Sequence, residues 1–211
     1  MTPFPRPITL EGRSVRLEPL AEAHAAALFE STCGPENDRL WLYLAEGPFR
    51  DRATFDASLA CKLASQDPLF FAIVDRQSNR AAGRAALMRI EPAHRAVEVG
   101  HILYAPAFQR THGATEAMYL LARHVFEDLG YRRYEWKCDT RNAASRRAAE
   151  RLGFTFEGIF RQHMMVKGAN RDTAWYSMLD GEWPGRGARL EQWLAPENFD
   201  GEGRQRTRLV R

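Results

Sequence analysis

The residues best suited to do chemistry lie where an apolar stretch runs into a long helical pattern. Residues 98–115 read Glu-Val-Gly-His-Ile-Leu-Tyr-Ala-Pro-Ala-Phe-Gln-Arg-Thr-His-Gly-Ala-Thr. A helix start carries unpaired backbone amides and the positive end of the helix dipole, which together attract anions. Arg110 adds a full positive charge, and Gly113 lets the backbone approach a ligand closely. The stretch therefore predicts a phosphate or pyrophosphate site, with a polar helix cap that binds nothing as the alternative.

Several other kinds of site find no support in the sequence. None of the lysines is followed by Ser or Thr, so there is no P-loop, and there is no dinucleotide-binding glycine pattern, serine-hydrolase elbow or zinc-protease motif. Glu98 and His101 have an odd separation, which places them on opposite faces of a strand and makes them poor partners for one metal. Three widely spaced cysteines suggest neither a zinc site nor a disulfide framework. We therefore expect no metal.

The composition is that of an ordinary globular chain. It has 211 residues, 45% hydrophobic and 27% charged, with a formal net charge of +3. So small a surplus does not favour nucleic-acid binding. No window approaches the ~20 apolar residues that cross a bilayer, so we expect no membrane association. Together with free cysteines, these features favour a cytoplasmic protein.

Hydrophobic periodicity predicts the elements that must position the candidate site. The clearest pattern, Ala114 to Leu129, is typical of an amphipathic helix. Further helices are predicted over 21–32, 52–65 and 143–152, and strands over 14–20, 69–75, 82–90, 96–103, 134–138, 154–166 and 171–179. Residues 34–51 are predicted to form a long loop, with room for one helical turn, that carries aromatic side chains. These elements indicate one α/β (α+β) domain around a mixed sheet.

The order of these features resembles the GCN5-related N-acetyltransferase (GNAT) family, in particular its RimJ/RimL-like branch, which acetylates ribosomal-protein N-termini and related amines. The resemblance extends from residue 10 to residue 179. Its most specific parts are Glu98-Val-Gly-His, Gln109-Arg-x-x-Gly, Asn142-x-x-Ser and Arg151-Leu-Gly-Phe. It implies an acetyltransferase domain over residues 1–181, with a mostly antiparallel sheet of about six to seven strands flanked by about four helices. Residues 182–211 are expected to form a C-terminal helix and a basic tail that is frayed from residue 201.

The resemblance also implies acetyl-coenzyme A as the co-substrate. In this family a segment of the form Gln/Arg-x-x-Gly-x-Gly/Ala cradles the pyrophosphate, and it corresponds here to Gln109, Arg110, Thr111, His112, Gly113, Ala114 and Thr115. Thr115 departs from the family's preferred Gly or Ala. The pantetheine arm is expected along the backbone of Gly100, His101, Ile102 and Leu103, with Asn142 as a further contact.

Two catalytic residues follow from the same resemblance. An ammonium has no lone pair, so a proton must leave the amine before it attacks the thioester. Glu98 matches the family's proton acceptor, although an ion pair with a nearby arginine is the alternative; His101 and Tyr104 are lesser candidates for this role. Ser145 matches the serine that protonates the leaving thiolate, whereas a plain helix start with Asn142 as N-cap is the alternative.

The acceptor is predicted to be a primary amine, either a protein N-terminus or a small molecule. Candidate acceptor-binding residues are Trp41, Tyr43, Trp136 and Trp175. The loop over residues 34–51 has more acidic than basic residues, which would favour a cationic amine. A homodimer is compatible with the resemblance. A non-catalytic module that senses acyl-coenzyme A, or that binds nucleic acid with the basic tail, is the competing hypothesis.

Overall fold

The computed structural model describes residues 2–209 and contains one mixed sheet of eight strands among them. The strands are β1 (Leu10–Glu11), β2 (Val15–Pro19), β3 (Leu69–Asp75), β4 (Arg80–Glu91), β5 (Ala96–Tyr104), β6 (Arg133–Asp139), β7 (Thr155–Val166) and β8 (Ala169–Leu179). Their order across the sheet is β1-β2-β3-β4-β5-β6-β8-β7. Neighbouring strands are antiparallel except for the pair β5 and β6, which is parallel. The predicted α/β fold with a mostly antiparallel sheet is confirmed.

Five α-helices accompany the sheet within the same residues. They are α1 (Ala25–Thr32), α2 (Arg52–Leu63), α3 (His112–Arg123), α4 (Ala143–Leu152) and α5 (Trp183–Leu194). Helix α3 continues into a π-helical turn at His124–Asp128. None of the helices in residues 2–209 is both long and apolar enough to span a membrane.

The number of strands exceeds the predicted number by one. The extra strand is β1, whose two residues are too short to give a periodic signal. Helix α5 corresponds to the C-terminal helix expected beyond residue 182, in addition to the four helices predicted around the sheet. The loop predicted over residues 34–51 contains a 3₁₀ helix at Pro35–Trp41.

Apolar side chains cover both faces of the sheet. Val97 and Val99 of β5 belong to the core that includes α3, α4 and α5. Phe70 and Ala86, on β3 and β4, belong to a second core beneath α1 and α2. Because side chains alternate along a strand, Glu98 points to the face that carries α1 and α2.

The C-terminal region packs on α3 and the residues around its start. The ring of Trp183 stacks on Phe126 with centroids 5.2 Å apart. Beyond α5, Trp193 Nε1 donates to Gln205 Oε1 at 3.0 Å, and Thr207 N donates to Asn198 Oδ1 at 2.8 Å. Residues 205 and 207 of the expected tail therefore have hydrogen-bond partners within the C-terminal region. Residues 210 and 211 of the expected tail lie outside the described residues.

Candidate active site

The sheet opens between its two parallel strands. Strand β5 pairs with β6 only where Ala96–Val99 face Arg133–Trp136. Beyond these pairs β5 continues to Tyr104 and β6 continues to Asp139, but no ladder joins them. The backbone edge of β5 beyond Val99 therefore faces an opening in the sheet, where an extended ligand could pair with it like an added strand.

A β-bulge lies in β5 beside this opening. The pairing with β4 passes from Ala86 opposite Gly100 to Arg84 opposite Leu103, so β5 has one more residue than β4 in this interval. His101 takes up the extra length with a positive φ of 51°. A bulge removes backbone groups from the regular ladder. The bulge therefore interrupts the regular pairing of β4 and β5 within the segment predicted to hold the pantetheine.

The start of α3 has the properties of an anion site. Thr111 caps the helix by accepting a hydrogen bond from Ala114 N at 3.2 Å. No hydrogen bond to another described residue occupies the backbone amides of Arg110, His112 and Gly113. The guanidinium of Arg110 is exposed and forms no ion pair with the described residues. Free amides and a free cation therefore meet at one helix start.

Two residues of this turn have roles other than the expected ones. A Cβ on Gly113 would lie 2.8 Å from Phe108 Cζ and 3.0 Å from Val15 Cγ1, so glycine is required for packing inside the protein. Thr115 is buried, and its hydroxyl accepts a hydrogen bond from Arg151 Nη1 at 3.0 Å. Its side chain faces the interior, where it neither crowds a phosphate nor donates to one.

The side chain of His112 holds distant segments together. Nε2 donates to the carbonyl of Leu194 at 3.1 Å, which leaves Nδ1 of the neutral ring to accept from the Ser14 hydroxyl at 2.9 Å. The ring also meets Phe199 edge-on at 4.6 Å. His112 thus offers its backbone to the anion site, while its side chain fixes the position of the turn.

Ser145 and Asn142 lie at the start of α4, which follows β6. Asn142 Oδ1 accepts from Ser145 N at 3.1 Å, so Asn142 is the N-cap and its side-chain NH₂ remains available. Ser145 Oγ accepts from Trp136 Nε1 at 3.0 Å. Trp136 is the last residue of β6 that pairs with β5. The Ser145 hydroxyl is therefore held close to the point where the two strands separate.

Glu98 is buried at the other side of the opening. Its Oε2 lies 3.0 Å from Lys137 Nζ and 2.9 Å from Arg89 Nε. Burial raises the pKa of Glu98 above its usual value, although Lys137 and Arg89 both act to lower it. The ion pair with an arginine that the sequence left as an alternative is present, and Lys137 adds a second cation. A raised pKa makes this carboxylate a better base than an exposed one.

His101 and Tyr104, the two lesser candidates for the base, are both less suited than Glu98 to accept a proton. Burial, with Arg84 nearby, lowers the pKa of His101 to about 4, so its ring is neutral near pH 7 but weakly basic. The Tyr104 hydroxyl donates to the carbonyl of Ala114 at 3.0 Å, and burial raises its pKa. Glu98 is therefore the stronger candidate for a proton acceptor.

The four tryptophan and tyrosine residues predicted to bind the acceptor do not form one pocket. Trp41 is only 1% exposed and its Nε1 donates to Thr32 O at 2.7 Å, so it belongs to the core and has no surface to offer an acceptor. Trp136 is buried against Ser145. Tyr43 is half-buried and donates to Arg141 O at 3.0 Å, which ties residues 34–51 to the turn after β6. Trp175 contacts Lys137, whose Nζ lies 3.7 Å from the ring centroid.

Two of the four acidic residues of the 34–51 segment form ion pairs within the protein. Asp38 accepts two hydrogen bonds from Arg50, both at 2.6 Å. Glu46 forms ion pairs with buried Arg84 and with Lys62. Burial raises the pKa of Glu46, but Arg84 and Lys62 outweigh it and lower the pKa to about 2. Asp38 and Glu46 are thus paired, whereas Glu36 and Asp51 form no ion pair with the described residues.

Sequence reasoning missed two buried charged residues. Lys137 bridges Glu98 and Glu135, and the alternation of residues 134–138 already placed Lys137 and Glu135 on one face of the strand. Glu116 is buried on α3 and accepts from the amides of Arg13, Ser14 and Val15 at 2.7, 2.7 and 3.1 Å. Glu116 lies opposite the apolar stripe of the predicted helix, so the hydrophobic periodicity gave no signal that this side chain is buried.

The thiols and possible metal ligands were also located. Cys33 and Cys138 are buried, Cys61 is exposed, and all three are free. Within residues 2–209, no group of three or more His, Cys, Asp and Glu side chains is arranged to hold a metal ion.

Comparison with known proteins identifies relatives along the chain. Residues 14–155 match the family described as "Acetyltransferase (GNAT) domain". "Putative ribosomal N-acetyltransferase YdaF" of Bacillus subtilis (strain 168) is 32% identical over 103 residues, which are 49% of this chain and 56% of that protein. The match therefore spans little more than half the length of this curated relative.

Solved structures match over more of the chain. A GCN5-related N-acetyltransferase from Brucella melitensis is 51% identical, with a TM-score of 0.96 over 98% of this chain and 94% of the other. A probable acetyltransferase of the GNAT family from Chromobacterium violaceum is 43% identical, with a TM-score of 0.81 over 87% of this chain and 91% of the other.

Proposed function

Because the chain belongs to the GNAT acetyltransferase family, we propose that it is an N-acetyltransferase that moves an acetyl group from acetyl-coenzyme A to a primary amine. The observation that carries this proposal is the opening between β5 and β6, which lies between the free amides at the start of α3 and the buried carboxylate of Glu98. An anion site, an unpaired strand edge and a base are the three features that such a reaction needs.

Acetyl-coenzyme A would occupy this opening along its length. We assign the pyrophosphate to the α3 turn, where Arg110 and the amides of His112 and Gly113 are free. The pantetheine would pair with the edge of β5 from Gly100 to Leu103, and the NH₂ of Asn142 would reach it from α4. An amide in the bulge at His101 would then stabilise negative charge on the thioester oxygen.

The reaction would proceed by direct attack in a ternary complex. The amine nitrogen forms a bond to the acetyl carbon as the carbon–sulfur bond breaks. The amine proton passes to Glu98, directly or through a water. Ser145, whose hydroxyl accepts a hydrogen bond from Trp136 and also interacts with the Cys138 thiol, would donate its proton to the departing thiolate. Water would then carry the proton from Glu98 back to the Ser145 oxygen, so that amine and thioester give amide and free thiol with no net change in protons.

The acceptor is the less specified part of the proposal. We propose either a protein N-terminus or a small-molecule amine, and the name of the Bacillus relative favours the first. Residues 34–51 lie across from the opening, joined to the turn after β6 by the hydrogen bond from Tyr43 to Arg141. The shape of this segment would determine whether the acceptor site is an open groove that admits a peptide or a closed pocket that admits a small amine.

The organisation of the whole chain is part of the same proposal. Residues 1–181 would carry the reaction, and residues 182–211 would support the cofactor site through the contact of Leu194 with His112. We further propose a cytoplasmic location, in keeping with three free thiols. The protein could act as a monomer or a homodimer.

Calorimetry with acetyl-coenzyme A tests the proposal. Arg110→Gln should weaken binding, whereas Arg95→Gln is a matched control, since both arginines are exposed and have positive φ angles, of 63° and 53°. Arg95 lies at the opposite end of β5 from the opening, so its replacement should leave affinity unchanged. Absence of binding to the wild-type protein would refute the proposal.

A second experiment identifies the acceptor. Release of free thiol is measured with peptide N-termini, amino acids and amine-containing antibiotics as acceptors. Turnover with peptides alone would assign a protein N-terminus, and turnover with small amines alone would assign a closed pocket. Binding of acetyl-coenzyme A without turnover on any amine would instead indicate a non-catalytic module.

A further inference from the structure

Four charged side chains form a row on the sheet face that carries α1 and α2. Arg89, Glu98, Lys137 and Glu135 are joined by ion pairs of 2.9, 3.0 and 2.7 Å, and we call them the Lys137 cluster. We propose that Lys137 is a positioning residue that keeps Glu98 deprotonated and leaves its Oε1 free to take the proton of the acceptor amine. This inference rests on the proposed function, because Glu98 is the proton acceptor only in that reaction.

The strand pairing builds the cluster. Glu98 of β5 lies directly opposite Glu135 in the parallel ladder with β6. Lys137 follows two residues later on the same face, since side chains alternate along a strand. On the next strand, Trp175 of β8 is the partner of Lys137. The ammonium is therefore placed between two carboxylates by the register of three strands, rather than by a flexible loop.

Lys137 is held rigidly in this position. Its side chain is 5% exposed, and its Nζ lies 2.7 Å from Glu135 Oε2 and 3.0 Å from Glu98 Oε2. The ring of Trp175 covers the ammonium at 3.7 Å from its centroid, a cation–π contact. A buried cation with two carboxylates and an aromatic face has little freedom to move away. Trp175, which we had predicted to bind the acceptor, thus contacts Lys137.

Both cations lie closer to one carboxylate oxygen of Glu98, Oε2, than to the other, Oε1. Both Lys137 Nζ and Arg89 Nε approach Oε2. Neither oxygen accepts a hydrogen bond of regular geometry among the described residues, and Oε1, the oxygen farther from both cations, lies 3.7 Å from the point where a Cβ would project from Gly100. Gly100 is the first residue of β5 past the end of the ladder with β6. The free oxygen is therefore directed toward the opening that the acetyl group would enter.

The balance of charges around Glu98 explains why Lys137 is needed. Burial raises the pKa of Glu98, and Lys137 is the strongest influence that lowers it; Arg89 also lowers it, and Glu135 raises it. Arg89 is 42% exposed, so water screens its charge more than that of buried Lys137. Without Lys137, the buried carboxyl would hold its proton at higher pH and could not accept one from the amine.

One further titratable group faces the cluster from β7. His163 lies near Arg89 and Lys137, and burial together with these cations lowers its pKa. Its titration therefore occurs below that of a free imidazole. The charged groups that shift the pKa of Glu98 are Arg89 from β4 and Lys137 and Glu135 from β6, whereas His163 lies near the two cations.

The pH dependence of kcat/KM for acetyl transfer tests this inference with paired variants. Lys137→Met should move the acid limb to higher pH by about one to three units, the range for loss of an adjacent opposite charge. Lys137→Arg keeps the positive charge, so the acid limb of its pH profile should lie where that of the wild-type protein lies. Glu135→Gln removes a like charge and should move the limb to lower pH. Damage to the fold lowers the rate at every pH and cannot move the limb in opposite directions.

A ¹³C NMR titration of the Glu98 carboxyl gives a readout that needs no turnover. The pKa of the Glu98 carboxyl should rise in Lys137→Met and fall in Glu135→Gln. No acceptor is present in this experiment, so the acceptor's own titration cannot contribute. Normal turnover with an unmoved Glu98 titration in Lys137→Met overturns the inference alone. A moved NMR titration with an unmoved acid limb overturns it as well, because Glu98 is then not the base. Wild-type protein that binds no acetyl-coenzyme A overturns the proposed function, and the inference falls with it.

Discussion

Replacing Glu116 by alanine should destabilise the protein more than the loss of any ordinary surface carboxylate. The side chain is buried on α3 and accepts hydrogen bonds from three consecutive amides, those of Arg13, Ser14 and Val15. A Cβ on Gly12 would lie 2.8 Å from the Glu116 carboxyl carbon, so the turn between β1 and β2 is closed tightly around this group. The variant leaves three backbone donors without a partner.

The size of the effect follows from these bonds. A hydrogen bond to a charged group contributes about 1.5–3 kcal/mol when it is buried. The amides of Arg13 and Ser14 are only partly buried and water can replace part of their bonds, whereas that of Val15 is buried. We therefore expect Glu116→Ala to lower the free energy of unfolding by about 3–4 kcal/mol. Glu116→Gln keeps one accepting oxygen and should cost about half as much.

Urea unfolding followed by tryptophan fluorescence measures this cost. Glu127→Ala is the matched control, because Glu127 accepts a single bond, from Trp183 Nε1 at 2.8 Å. Its loss should cost about 1 kcal/mol. A Glu116→Ala variant that is no less stable than Glu127→Ala, with an unchanged slope against urea, would refute the reasoning.

Two further predictions concern packing and charge. Gly113→Ala should lower the free energy of unfolding by about 1–3 kcal/mol in urea titrations, since its Cβ would overlap Phe108, and Gly113→Ala combined with Phe108→Leu should recover part of the loss. Glu46 has a pKa lowered to about 2, so its ion pairs stabilise the fold above about pH 4.5, and this stabilisation is lost as the pH falls toward 2. Wild-type protein should therefore exceed Glu46→Gln in stability by an amount that shrinks over this interval, and a difference independent of pH would contradict the assignment.

Elements with a long periodic signal were predictable from the sequence. The apolar positions between Ala114 and Leu129 predicted α3 and its π-helical extension, which the structure begins at His112 and ends at Asp128. Strand β1, with only two residues, was beyond the reach of periodicity. The 34–51 segment was predicted to be a long loop with room for one helical turn, and the structure has a 3₁₀ helix at Pro35–Trp41; the burial of Trp41 in the core was not predicted.

In the candidate site, too, some features could be predicted from the sequence and others could not. Glu98 and Ser145 could be named from a family pattern because each occupies a fixed place in a short motif. The bulge at His101 has no sequence signal of its own, since it arises from the mismatch between two strands. Lys137 was missed because its importance depends on the register of β5, β6 and β8, and a register couples residues that are far apart in sequence.

The contacts of His112 have a consequence for how the protein is made. This one side chain bonds Ser14, 98 residues before it, and the carbonyl of Leu194, 82 residues after it. The turn that would receive the pyrophosphate is thus tied to both ends of the described chain. During synthesis, the ribosome must release residue 194 before the turn can adopt its final geometry. A nascent chain or a C-terminally shortened product would accordingly lack a finished anion site, even with every strand of the sheet already translated.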